Sequence, residues 1–403
     1  MALMPVADAL ASILQTAKPL PGENAPLAEA AGRVLTEDIA AQTTQPPADV
    51  SAMDGYAVRA ADLAAVPVTL TIIGEVAAGH PLARDVKEGE AARIFTGGVM
   101  PIGTDTVVIQ ENATRADGTV TINTAAAAGK NVRRAGLDFA QGDVLLPKGR
   151  HLTARDLMLA AAMNHAALPV HHAPKVAVLG TGDELILPGT PAQAGQIFYS
   201  NGFALMALAR QEGCGVIDLG IVPDRVEDTI AAIRRARSLN ADILVTCGGA
   251  SVGDHDLVQK SLAAEGLALS FWKVALRPGR PVMHGRLGDM QVLGLPGNPV
   301  SAYVCALLFL VPLIRRLSGR TDLSAVAESA LLGTDLPAND ERMDFLRATL
   351  APGRDGAPVA TPLPIQDSSM MAALAKADCL LIREPHAPAA KAGDRCAIVK
   401  LGF

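Results

Sequence analysis

Short apolar runs recur along the segment from Lys175 to about Gly319: KVAVLG, GVIDLGI, DILVTC and MQVLGL, with longer mixed stretches between the early ones. In one such stretch Val226, Ile230 and Ile233 fall on one face at helical spacing. Uniformly apolar strands alternating with helices predict a parallel sheet covered on both faces. The flanking regions follow other rhythms. Before about residue 145, VPVTLTIIGEV, TDTVVIQEN and GTVTINT carry β-branched residues between Gly, Pro, Asn and Asp, so this part reads as β-rich. Residues 5–17 read as an amphipathic helix, HLTARDLMLAAAMNHAAL as a second helix, and PVHHAP after it as a linker. Beyond residue 321, DFLRATLAPG, PVATPLP and CAIVKLGF are separated by turn residues and predict a small β domain.

The expected architecture is a multidomain α/β plus β chain. Residues 1–46 and 142–172 make a helical, linking domain and residues 47–141 a β-rich insertion. Residues 173–320 make the central α/β domain, with a mostly parallel sheet and helices on both faces, and residues 321–403 a barrel-like C-terminal β domain.

Three glycine-bearing loops follow strands of the central domain: GTGDEL from Gly180, CGGASVGDHD from Cys247, and LPGNPVSA from Leu295, which opens a long apolar helix. In an open α/β sheet, ligands bind at the carboxyl ends of the strands, where bare backbone and helix N-termini face anions. One Gly-Gly turn alone is more often chain geometry than a ligand site; three in phase, two of them carrying acids, predict a single pocket. Glu184 and Asp256 stand beside this backbone as candidate metal or substrate ligands, and Asp224 is a further acid just beyond a strand. Asp183 reads as the cap of a following helix. FWKVALRPGRP sets Lys273, Arg277 and Arg280 around a Pro-Gly turn, a spacing that presents positive charge to phosphate or another oxyanion. There is no GxxxxGK[ST], and GTGDEL lacks the third glycine of a dinucleotide fingerprint, which argues against a standard ATPase or nicotinamide enzyme. Carboxylates for a divalent cation beside cations for anions predict an anion-handling, Mg²⁺-dependent enzyme.

Composition narrows this further. At 403 residues the chain exceeds the size of a single core. With 41 acidic against 35 basic residues and few aromatics, no nucleic-acid footprint is expected. No run of about 18 uncharged apolar residues appears, so no membrane span is expected. The first residues lack the pattern of a secretory signal, and a cytoplasmic location is the expectation. Five cysteines with no CxxC spacing fit reduced, packed thiols rather than disulfides or zinc.

In this order, PPADVSAMDGYAVR, IFTGGVMPIGTDTVVIQEN, VRRAGLDFAQGDVLLPKG, TGDEL, GGASVGDHD, RPGRP and LPGNPVSA resemble the MoeA-type molybdopterin molybdenumtransferase family, related to the E domain of gephyrin. The match spans nearly the whole chain and is weakest beyond about residue 320. The resemblance implies insertion of molybdenum from molybdate into the dithiolene of adenylylated molybdopterin, with release of AMP and the help of Mg²⁺. It places Gly180, Thr181, Gly182, Gly248, Gly249, Ser251, Gly253, Pro296, Gly297, Asn298 and Pro299 around the substrate, with Lys273, Arg277 and Arg280 on its anions. On the same resemblance Glu184, Asp224 and Asp256 would hold the metal and are the candidate proton donors, with Asp256 at the reacting centre. It also implies a homodimer whose active site adds Asp54 and Thr96 of one subunit to the α/β domain of the other. Molybdopterin adenylyltransferase and recipient molybdoenzymes are the implied partners.

Arg277 and Arg280 replace the family's lysines, Leu137 stands where an acid is common, leaving Asp138, and Cys247 replaces a Ser or Thr and reads as packing. Two other readings stay open. A molybdopterin adenylyltransferase shares the α/β module but usually has little else, and a gephyrin-like scaffold binds peptides without catalysis.

Overall fold

The computed structural model describes residues 3–248, 257–353 and 356–402. Its centre is a six-stranded sheet in the order Gly215–Val222, Lys175–Thr181, Ile243–Cys247, Met290–Leu295, Met283–Leu287, Ala268–Trp272. The first four strands run parallel, Met283–Leu287 runs antiparallel to them, and Ala268–Trp272 pairs antiparallel with Met283–Leu287. Alternation along Lys175–Thr181 shows why the run is apolar throughout. Val176 and Val178 pack with helices Asn201–Gln211 and Pro299–Leu317 on one face, while Ala177 and Leu179 pack with Val226–Ser238 and Leu257–Ala264 on the other. Both faces are buried, so the four positions between Lys175 and Gly180 are all apolar.

The helix from Pro299 is the one described helix long and apolar enough to cross a membrane, yet 72% of its apolar window is buried inside the protein. It is a core helix, with a single π turn at Ala306–Leu310. Helix Val6–Thr16 joins the same core through Ala9 and Ile13, four residues apart on one face. Burying Ile13 completely stabilises this docking by about 2 kcal/mol.

PVHHAP is a linker only in its second half, where His172 to Pro174 have no regular structure. Ala167–His171 is a strand, antiparallel to Gly22–Pro26, because a partner far back in the chain supplies the hydrogen bonds that local sequence cannot announce. Helix Ala154–Ala162 precedes it, closed at its N-terminus by a Thr153–Asp156 capping box.

The β-rich part is a six-stranded mixed sheet in the order Thr106–Ile109, Gly55–Val58, Glu90–Ile94, Val68–Val76, Thr119–Ile122, Ala113–Ala116. In the C-terminal part, Met343–Pro352 pairs with both Pro358–Pro362 and Cys379–Arg383, which closes five strands into a small barrel around Ala348, Leu381 and Ile398. Leu276–Arg277 adds to its edge from the central region.

Candidate active site

The chain leaves Lys175–Thr181 toward one side of the sheet and returns across it to Ile243–Cys247. The crevice between these two carboxyl ends is a topological switch point, where α/β sheets bind ligands. Two of the three glycine loops open there, and the third lies beside them. Gly248 has φ +97°, and a Cβ on it would stand 2.6 Å from the Thr181 carbonyl oxygen. A Cβ on Gly297 would stand 3.8 Å from the Gly248 Cα. Only glycine lets the first two loops approach so closely.

Asn298 precedes helix Pro299–Leu317 without capping it; its side chain donates to Ser368 Oγ at 2.9 Å. The Val300 amide donates to the Ser368 carbonyl at 3.0 Å, and Asn201 Nδ2 donates to the Gly297 carbonyl at 2.7 Å. The C-terminal barrel and a central helix therefore both brace this loop. Gly180 has a packing role, because a Cβ there would meet the Tyr199 ring at 2.5 Å. Tyr199 fills the space between Gly180 and Gly202. Burial raises its hydroxyl far above the ordinary tyrosine value, and that hydroxyl has no hydrogen-bond partner among the described residues.

No helix follows GTGDEL directly, so Asp183 caps none; a turn leads into the short strand Leu185–Ile186. Asp183 Oδ1 instead accepts the Asp224 amide at 3.1 Å, tying together the ends of the two adjacent strands. Glu184 and Asp224 are both exposed at this edge. The Glu184 carboxylate folds over Gly182, where a Cβ would be 2.5 Å from Oε2. Among the described residues no three His, Cys, Asp or Glu side chains cluster as a metal site. Oxygen donors without nitrogen or sulfur suit a hard cation, so Glu184 and Asp224 fit part of a Mg²⁺ shell. Gly249, Ser251, Gly253 and Asp256 lie outside the described residues.

The basic loop emerges at the same edge. Trp272 pairs with Met283 and Met283 with Gly294, so residues 273–282 leave the sheet beside the end of Met290–Leu295. Lys273 Nζ lies 5.2 Å from the Trp272 ring centroid, and Arg280 is exposed. Arg277 turns toward the barrel, pairing with Asp340 at 3.2 Å and with the buried Asp344.

Arg347 escaped the sequence reading. It is 1% exposed, its Nη2 donates to the Asp367 carbonyl at 3.0 Å, and its Nε has no partner among the described residues. Burial pushes its guanidinium below the ordinary arginine value. The signal was an arginine inside the apolar run of DFLRATL, one residue type that a strand does not bury without an anion or carbonyls to meet. Cys247 is buried, and desolvation pushes its thiol up to about 12, so it packs rather than reacts.

In the β-rich part, Asp54 Oδ1 accepts both the Thr96 amide and the Thr96 hydroxyl, each at 2.8 Å. The two turns carrying them are joined by Ser51 N to Gly98 O at 2.8 Å and Gly97 N to Ser51 O at 2.9 Å. Glycine at position 55 is needed for strand contact, since a Cβ would fall 2.0 Å from the Val108 carbonyl oxygen. Among the described residues, no hydrogen bond or ion pair joins Asp54 or Thr96 to the glycine loops within one chain.

An open α/β sheet with glycine loops gathered at its switch point, flanked by a β-rich part and a closed barrel, defines a multidomain α/β protein with a candidate ligand crevice at that point. The sequence matches the MoeA N-terminal region (domain I and II) over residues 4–164, a "Probable molybdopterin binding domain" over residues 177–316, and the MoeA C-terminal region (domain IV) over residues 329–401. It is 38% identical to the molybdopterin molybdenumtransferase of Haemophilus influenzae over 92% of both chains. Identity to the Bacillus subtilis molybdopterin molybdenumtransferase is 34%, over 94% of this chain and 90% of that one. A solved molybdopterin biosynthesis MoeA protein of Pyrococcus horikoshii superposes with a TM-score of 0.83 at 30% identity, covering 100% of both chains. The chain belongs to the MoeA family of molybdopterin molybdenumtransferases.

Proposed function

We propose that this chain inserts molybdenum from molybdate into the dithiolene of adenylylated molybdopterin and releases AMP, in molybdenum cofactor biosynthesis in the cytoplasm. The observation that carries this reading is the junction of the loops at Thr181, Gly248 and Gly297, where bare backbone stands beside Glu184 and Asp224. Amide groups there suit a phosphate, and Lys273 and Arg280 bring positive charge to the same edge for molybdate and phosphate oxygens. Arg277 shares its charge with Asp340 and Asp344, and Arg347 adds a buried cation behind Ser368.

The reaction balances without electron transfer. Two dithiolene sulfurs replace two molybdate oxygens, which leave as water once protonated, and one water is used in cleaving the phosphoanhydride to AMP. Glu184 and Asp224, with Asp256 assigned from its motif alone, would hold Mg²⁺, which when bound would draw charge from the anhydride. An acid of this set delivers protons to departing oxygens. Asp54 and Thr96 enter from the second subunit of a homodimer, in keeping with the absence, among the described residues, of a hydrogen bond or ion pair from either to the loops of their own chain.

The test is AMP release by the purified protein from adenylylated molybdopterin, with and without molybdate and Mg²⁺, alongside Asp256→Asn and Glu184→Gln. Release that requires both additions and falls in the variants is the expected result. ATP consumption would favour an adenylyltransferase, and tight binding without release a scaffold.

A further inference from the structure

Arg93, on strand Glu90–Ile94, is held in an unusual setting for a surface arginine. Its Cζ lies 5.2 Å from the Tyr56 ring centroid and 4.8 Å from that of Phe95. Nη1 donates to the Gly55 carbonyl at 3.2 Å, and Nη2 donates to Gln110 Oε1 at 2.7 Å. The backbone N–H of Gln110 in turn donates to the Asp54 carbonyl at 3.2 Å. One planar fork thus reaches both peptide carbonyls that follow the Asp54 side chain, one directly and one through Gln110.

We propose that Arg93 is a positioning residue for Asp54, fixing the direction in which its carboxylate leaves the turn. This rests on the reading that Asp54 takes part in the reaction. Two aromatic faces restrict the guanidinium plane, and the plane sets the two hydrogen bonds, so the rings serve to aim the fork. Thr96 restrains the carboxylate from the far side, while Arg93 restrains the backbone beneath it. An ammonium in the same place would keep the charge and most of the stem packing but could not hold both acceptors in one plane.

The experiment compares Arg93→Gln, Arg93→Lys and Asp54→Asn by molybdate-dependent AMP release and by the chemical shift of the Thr96 amide, with a thermal melt to confirm folding. Both Arg93 variants should lose turnover by at least about tenfold with little change in the KM for molybdate, since misplacing a reacting group acts on the chemical step. The Thr96 amide should move in both toward its position in Asp54→Asn, and lysine should not rescue. An unmoved Thr96 amide, or turnover restored by lysine, would overturn the proposal. An active Asp54→Asn would sink the underlying reading of Asp54 instead.

Discussion

Asp54 and Thr96 form a two-point contact in which one carboxylate oxygen accepts an amide and a hydroxyl from the same residue, each at 2.8 Å. The Thr96 amide, then its hydroxyl, hold the Asp54 carboxyl below the usual aspartate value, with the Arg93 charge contributing less. Because the folded value is depressed, this contribution to stability is present above the unfolded value and is lost as pH falls through the folded one. Thr96→Val keeps the amide and removes the hydroxyl. The Asp54 carboxyl is expected to titrate closer to its ordinary value, read by NMR, and AMP release to fall about tenfold.

The glycines of the switch point separate strain from ligand contact. Gly248→Ala combines a positive φ with a carbonyl 2.6 Å from the new Cβ, so a loss of about 2 kcal/mol in unfolding free energy is expected along with activity. Among the described residues, Gly297→Ala meets nothing closer than 3.8 Å, and Gly297 has no positive φ. Its denaturation midpoint should stay near wild type while AMP release drops, which is the behaviour of backbone that a ligand approaches. Equal activity in Gly297→Ala would remove this loop from the binding surface.

Arg277 ties the central region to the barrel through Asp344, whose side chain is 6% exposed. Arg277→Ala leaves that carboxylate buried without its cation, and urea denaturation should show a loss of about 3 kcal/mol in the transition that includes the barrel. Arg277→Lys should recover part of the loss, because an ammonium can meet Asp344 but cannot span Asp340 and Asn339 as well.

Tyr199 offers a test in the opposite direction. Its buried hydroxyl has no partner among the described residues, so Tyr199→Phe should leave the melting temperature equal or slightly higher. Gly202→Ala, with a Cβ placed 2.1 Å from that hydroxyl, should lower it by several degrees. Lost AMP release in a fully stable Tyr199→Phe would show that the hydroxyl meets the substrate.

Much of the architecture was legible because its signals are local. Strands buried on both faces read as unbroken apolar runs, as in KVAVLG and DILVTC, and Ala9 and Ile13 repeat at the interval of a helix face. The order of motifs, from SAMDGYAVR to LPGNPVSA, was enough to indicate the family, and the glycines marked where backbone comes close to backbone.

Pairing across long separations was not legible, since a strand such as Ala167–His171 exists only because Gly22–Pro26 returns beside it. Asp183 showed the same limit: its spacing suits a cap, yet the chain turns away and the carboxylate bonds the Asp224 amide. Charge alone grouped Arg277 with Lys273 and Arg280, whereas the barrel's carboxylates draw Arg277 aside. Arg93 and Arg347 carried no motif of their own. Composition and periodicity determined which segments become strands, helices and glycine turns, because those depend on neighbours along the chain. Which donor meets which acceptor depends on neighbours in space, and only the tertiary structure decided that.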